Sequence, residues 1–171
     1  MEKSPKNYDV LIIGAGPAGA NAAISYKNLN PNLTVGLVDK AIFPRDKSCG
    51  DAIGPGVISA LKRFNNEHIL DGEPQVVSTT LYGPDNIGIQ NYIPEVKNKE
   101  DSIVYVIPRV DLDNRILDLA KECGVDVYEG YSFVDFTSNL DKSLNVQIKN
   151  ENENLEFLTK ILVGADGANS R

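Results

Sequence analysis

Apolar positions along the chain come in short runs, and their spacing switches between the helical repeat and the extended one. YDVLII (8–13) is almost continuously apolar, as a strand buried on both faces of a parallel sheet would be. The alanine-rich stretch 18–28 predicts a helix broken by NLNPN, and LTVGLV (33–38) predicts a second strand that closes at Asp39. Strand, helix and strand fit one βαβ unit of about 30 residues. A loop follows over 40–53. Residues 55–64 then predict a helix, with Pro55 where its missing N–H is tolerated.

The pattern changes over 75–107. QVVSTTLYG and NIGIQNYI flank a PDN turn and SIVYVI follows, which predicts an antiparallel patch. Asp111 can cap a helix whose apolar positions Leu112, Ile116, Leu119 and Ala120 fall at helical spacing, and Gly124 stops it. VDVYEG is a strand. YSFVDFTS, SLNVQIKN and LEFLTKILVGA are three more, joined by polar turns such as NLDK. The expected class is therefore α/β: a Rossmann-like parallel sheet with a three-stranded antiparallel connection and an inserted β patch.

Composition narrows the function more than the fold. The chain has 171 residues, 42% hydrophobic and 24% charged, an ordinary globular balance for about one domain. Its net charge is −7 and it has no run of Lys or Arg, which argues against nucleic acid as a partner. The N-terminal apolar run is too short for a signal peptide or a membrane span. Cys49 and Cys123 lie far apart without a secretory signal, the usage of a reducing cytoplasm. With one histidine, His68, and no Cys-x-x-Cys, no metal site is expected. His68 itself reads as a surface or half-buried helix residue.

The chemistry sits in VLIIGAGPAGANAA. Gly14, Gly16 and Gly19 form Gly-x-Gly-x-x-Gly between a strand and a helix, with Pro17 and Ala18 inside the turn. The first glycine permits the tight turn, the second lets a diphosphate reach the backbone, and the third lets helix and strand pack closely. The helix N-terminus offers free N–H groups and a positive dipole end. Asp39 follows about 20 residues after Gly19, with Lys40 beside it, where a carboxylate can take both ribose hydroxyls. The same carboxylate would repel a 2′-phosphate, so NADP is disfavoured at this site.

Three stretches, DVLIIGAGPAGANAA, FPRDKSCGDAIGPGVISAL and LVGADGANSR, resemble FAD-dependent oxidoreductases of the p-hydroxybenzoate hydroxylase and geranylgeranyl reductase type. PRVDLDNRILDLAKECGVDV matches the Arg-started helix and strand that lie between the last two in that family. The resemblance implies a glutathione-reductase-type FAD-binding fold over 1–171, with 75–107 on the substrate side. FAD is then the cofactor, held by the fingerprint glycines and Asp39. Arg45 is expected at the flavin side, Arg109 near the diphosphate or ribityl region, and Asp166-Gly167 against FAD, where Asp166 can also cap a helix. NAD(P)H is implied as a transient electron donor. A later Gly-Asp motif and the sheet that covers the flavin would lie past Arg171. The chain thus reads as the N-terminal part of such an enzyme, incomplete at the C-terminus, with an apolar face left for a homodimer or a partner chain.

The loop holding Cys49 and Gly50 lies where the family places residues beside the flavin, and geranylgeranyl reductases carry Cys-Gly at the matching position. Two readings of Cys49 stay open: a catalytic thiol, or a small residue shaping the loop. Lys47 and Arg45 would lower its pKa; Asp46 and Asp51 would raise it. Gly50, Gly54 and Gly56 are expected to let backbone approach the isoalloxazine. Three functions follow. The first is a flavoenzyme acting on a small apolar or aromatic substrate: a geranylgeranyl-reductase-like enzyme, or alternatively an aromatic monooxygenase or halogenase. The second is a non-catalytic FAD- or ADP-binding fragment, and the third an NAD-binding domain.

Overall fold

The computed structural model describes residues 5–92 and 104–168. These form two compact units, one built from the segments up to Asp46 and from Asp113 onward, the other from Lys47–Leu112.

The first unit is a six-stranded sheet. Its strands are β1 (Lys6–Ile13), β2 (Val35–Asp39), β7 (Asp126–Glu129), β8 (Ser132–Ser138), β9 (Leu144–Lys149) and β10 (Asn154–Gly164), in the order β7-β2-β1-β10-β9-β8. Pairs β7-β2, β2-β1 and β1-β10 are parallel; β10-β9 and β9-β8 are antiparallel. The parallel sheet and the three-stranded antiparallel connection are thus both present, and β10 belongs to each. Its residues 154–159 pair with β9 and 157–164 with β1.

Helix α1 (Pro17–Leu29) follows β1, and α3 (Arg109–Glu122), most of which belongs to this unit, precedes β7. Small residues let α1 lie close to the sheet: Gly19, Ala20, Ala23 and Ile24 are its buried positions. In α3 the buried stripe is Leu112, Asp113, Ile116, Leu117 and Ala120. Helix α3 begins at Arg109, two residues before Asp111, because the Pro108 carbonyl accepts the first N–H groups, from Asp111 and Leu112. It ends as expected at Gly124, whose φ is +79°. There Val125 N–H reaches the Ala120 carbonyl and Gly124 N–H that of Lys121, a Schellman closure.

Aromatic residues pack into one core cluster of the sheet. Tyr8, Phe157, Val146 and Ile148 are buried in it, with Tyr128, Tyr131 and Phe133 packed around them. Ring centroids of Tyr8 and Phe157 are 5.5 Å apart, edge to face. The Tyr8 hydroxyl donates to Asp126 Oδ2 at 3.0 Å and lies 2.7 Å from the Tyr128 hydroxyl. Burial, then these two neighbours, push its pKa well above the ordinary phenol value. Gly36 leaves the room: a Cβ there would stand 2.7 Å from Leu11 and 3.1 Å from the Tyr8 ring.

In the second unit β3 (Ala52–Ile53) pairs antiparallel with β6 (Tyr105–Val106), and Gln75 bridges Tyr105. The sequence pattern leaves β3 inside a loop, because two residues carry no periodicity. Helix α2 (Pro55–Lys62) buries Ile58 and Leu61, and a 3₁₀ turn over Glu67–Leu70 buries Ile69 and Leu70. The predicted hairpin is present as β4 (Ser78–Tyr82) and β5 (Gly88–Tyr92), with Leu81, Ile87 and Ile89 exposed. The start of SIVYVI, the end of NIGIQNYI and Asn169 to Arg171 lie outside the described residues. Among the described residues no helix is long and apolar enough to cross a membrane.

One acid-sensitive tie joins β1 to its neighbours. The Asp9 carboxylate meets Lys160 Nζ at 2.7 Å and the Thr34 N–H and hydroxyl, each at 2.9 Å. Lys160 first, then Thr34, lower its pKa from 3.8 to about 2. A carboxyl depressed by folding contributes stability above its unfolded value and loses it as pH falls through the folded one. Asp9→Asn should therefore cost about 1 kcal/mol near neutrality in urea unfolding. The difference from wild type should shrink as pH drops from 3.8 towards 2. A pH-independent difference would contradict this assignment.

Candidate functional site

Both neighbours of β1 run parallel to it, but the chain reaches β2 first and β10 last, from opposite sides. Such a reversal leaves a crevice outside the carboxyl ends of the strands. β1 ends at Ile13 and β10 at Gly164, and Ala165 N–H donates to the Ile13 carbonyl at 2.7 Å. The fingerprint loop lies at this end.

Gly14 takes φ +105°, and a Cβ on it would run into the Ala165 carbonyl oxygen and stand 2.7 Å from the Asp166 nitrogen. A Cβ on Gly19 would strike the Gly14 carbonyl oxygen. Both glycines are thus fixed by backbone contact. Gly16 caps α1 with no side-chain hydrogen bond, Pro17 opens the helix, and its first turn holds no acidic residue. The N–H groups of Ala18 and Gly19 fall among those that lack an intrahelical acceptor. This end of α1 favours an anion.

The loop after β2 supplies the cation. Phe43 N–H donates to Glu129 Oε1 at 2.8 Å, which ties that loop to β7. Arg45 Nη1 pairs with Asp113 Oδ2 at 3.1 Å, and its Cζ lies 4.8 Å from the Phe43 ring centroid. Its Nη2 is 3.3 Å from where a Gly16 Cβ would be. Arg45 therefore stands over the second fingerprint glycine. Sequence reading missed Asp113, although a carboxylate on the apolar stripe of α3 was a visible signal.

Asp39 closes the loop from below. Its Oδ2 accepts Ala15 N–H at 2.7 Å and its Oδ1 accepts Ala41 N–H at 2.8 Å. The carboxylate is thus already a brace for the fingerprint turn. Each oxygen keeps further acceptor capacity, so a ribose hydroxyl remains compatible. Lys40 is exposed. Asp166 and Gly167 are exposed just past the end of β10, Gly167 with φ +91°.

A second cluster forms within Lys47–Leu112. Cys49 is exposed and its pKa is lowered, first by the Asp51 backbone N–H and then by a hydrogen bond from the Arg109 side chain. Asp51 Oδ1 in turn accepts Arg109 N–H at 3.3 Å, and Ile107 N–H reaches the Asp51 carbonyl at 2.9 Å. The expected agents were Lys47 and Arg45, opposed by Asp46 and Asp51. Asp51 instead helps, through its backbone, and Arg109 supplies the charge. Pairing of β3 with β6 brings those distant segments together. Among the described residues, a Cβ on Gly50, Gly54 or Gly56 would meet no atom within 4 Å, so no packing contact with them requires these glycines. Cys123 is a free thiol. His68 is exposed, with Nδ1 3.3 Å from the Asn65 carbonyl.

Known proteins resemble this chain in sequence and in fold. The menaquinone reductase of Mycolicibacterium smegmatis is 30% identical over 162 residues, 95% of this chain and 38% of the relative. The digeranylgeranylglycerophospholipid reductase of Picrophilus torridus is 25% identical over 166 residues, 96% of this chain and 40% of the relative. The solved myxobacterial chondrochloren halogenase superposes with a TM-score of 0.80 at 23% identity, covering 98% of this chain and 39% of the halogenase. The last likeness is one of fold. The chain therefore spans about two-fifths of the length of the relatives it matches. Residues 7–171, and with them both the fingerprint turn and the Asp166-Gly167 end of β10, match the FAD binding domain family, and the chain belongs to that family.

Proposed function

We propose that this chain is the FAD-holding part of a reductase that acts on an apolar, isoprenoid-type substrate. One observation carries the cofactor half: an uncapped helix N-terminus faces a backbone turn with the Arg45 guanidinium beside Gly16. Those groups fit a diphosphate. Gly14, Gly16, Pro17, Ala18 and Gly19 would surround it, Arg45 would pair with its oxygens, and Asp39 with Lys40 would take the adjoining ribose. Asp166, whose backbone nitrogen lies near Gly14, would close the other side together with Gly167.

The reductase half is supported by relatives named for reducing a menaquinone and a digeranylgeranyl lipid, both molecules with isoprenoid chains. Bound FAD would supply hydride transfer, and NAD(P)H is the donor we assign to recharge it. Within Lys47–Leu112, Cys49 and Gly50 are our candidates for contact with the reactive ring, and Arg109 for the diphosphate or ribityl region. Cys49 has the environment of a stabilised thiolate, the form that can act chemically. Two free thiols support a reducing, cytoplasmic setting, and a second copy or a partner chain would complete the flavin site.

Purified protein titrated with FAD should bind about one flavin per chain, and ADP should compete. Gly19→Ala should weaken both more than tenfold, or about 1.4 kcal/mol, because its methyl displaces the Gly14 carbonyl. A wild-type chain that binds neither ligand would overturn the cofactor assignment. For the thiol, the iodoacetamide rate at Cys49 should reach half its maximum below pH 9.0, the ordinary thiol value. Arg109→Ala should move that midpoint upward, since it removes a donor to the sulfur. An unmoved midpoint would remove Arg109 from this role.

A further inference from the structure

We propose that Asp113 is a positioning residue for the diphosphate site, acting by holding the Arg45 guanidinium beside the Gly16 turn. The inference rests on the reading of that turn given above.

Asp113 is fully buried, on the same stripe of α3 as Ile116, Leu117 and Ala120. A carboxylate there is costly unless paired, so its presence on an apolar face calls for a reason. The geometry around Arg45 supplies one. A guanidinium is flat, with separate donors along its edge and two open faces. Nη1 goes to Asp113 at 3.1 Å, and Phe43 lies at 4.8 Å from Cζ. Nη2, the other terminal nitrogen, is the one beside Gly16. The side chain is only 19% exposed. Asp113 thus fixes one end of the fork and leaves the other end aimed at the loop.

Holding a long side chain in one rotamer before the ligand arrives removes an ordering cost that binding would otherwise bear. Asp113 also offsets the charge of Arg45, so the guanidinium can sit in a largely water-free position without a ligand. Lysine could not replace it. A single ammonium at the end of a flexible stem cannot span Asp113 and the loop together.

The test is a double-mutant cycle read in ADP affinity by calorimetry, with ligand-free thermal unfolding measured beside it. Asp113→Asn keeps the shape and removes the charge. It should weaken ADP binding about tenfold in the wild-type background and have little effect in Arg45→Ala. An unchanged Kd in Asp113→Asn, with or without a lower Tm, overturns the proposal. So does an equal loss of affinity in the Arg45→Ala background, because Asp113 would then act independently of Arg45. Should Asp113→Asn fail to fold, Arg45→Lys decides. A loss of about tenfold there supports the proposal, and wild-type affinity overturns it. Wild-type protein that binds no ADP overturns the diphosphate reading, and this inference with it. ADP binding lost in Arg45→Ala but kept in Asp113→Asn overturns the inference alone.

Discussion

Three stretches of backbone meet at the carboxyl end of β1, with no side chain on the two glycines and only the Ala165 methyl beside them. Gly14 lies against Ala165, and Gly19 against Gly14. A single Cβ at either glycine would separate strand from helix, or the first strand from the last. That contact sets the distance between α1 and the sheet, and so decides which residues can line α1. Ala20 and Ala23 are fully buried on the face of α1 that follows the glycines. It also leaves the N-terminus of α1 bare, since a turn of Gly-Ala-Gly-Pro has no side chain able to cap it.

Around this bare end the charges are arranged in pairs. Asp39 is occupied with the N–H groups of Ala15 and Ala41, and Arg45 with Asp113. Both are held by contacts that exist without a ligand. On the proposed reading, side chains braced in this way would need less ordering when a ligand binds. The aromatic cluster is arranged on the same logic. The Tyr8 hydroxyl, buried among Phe157 and Val146, is shared between Asp126 and Tyr128 so that no polar atom is stranded.

The sheet and the fingerprint were legible in the chain because each depends on local pattern. Continuous apolar runs mark the parallel strands, alternation marks β9, and Gly-x-Gly-x-x-Gly has a fixed mechanical reason. What escaped was made by partners distant in sequence. The pairing of β3 with β6 involves two residues on each side, too few to leave a period, yet it delivers Arg109 to Cys49. Charge counting near Cys49 weighed side chains and overlooked the Asp51 N–H, a donor that every non-proline residue carries unseen in sequence. Asp113 was missed for a different reason. Its position beside Leu112 and three before Ile116 puts it on the apolar stripe, but a charged residue on a helix is ordinarily read as solvated.

The dual pairing of β10 has a kinetic side. β1 opens the described chain and needs β10 as a neighbour, with Lys6 opposite Phe157. A ribosome must therefore release nearly the whole of this sequence before its first strand finds its second flank. Until then β1, with Val10, Leu11 and Ile12, has only β2 beside it and keeps one open apolar edge. Pairings so far apart in sequence form slowly, and an open edge is what other chains can add to. The far end of the chain is therefore what closes the edge of its first described strand.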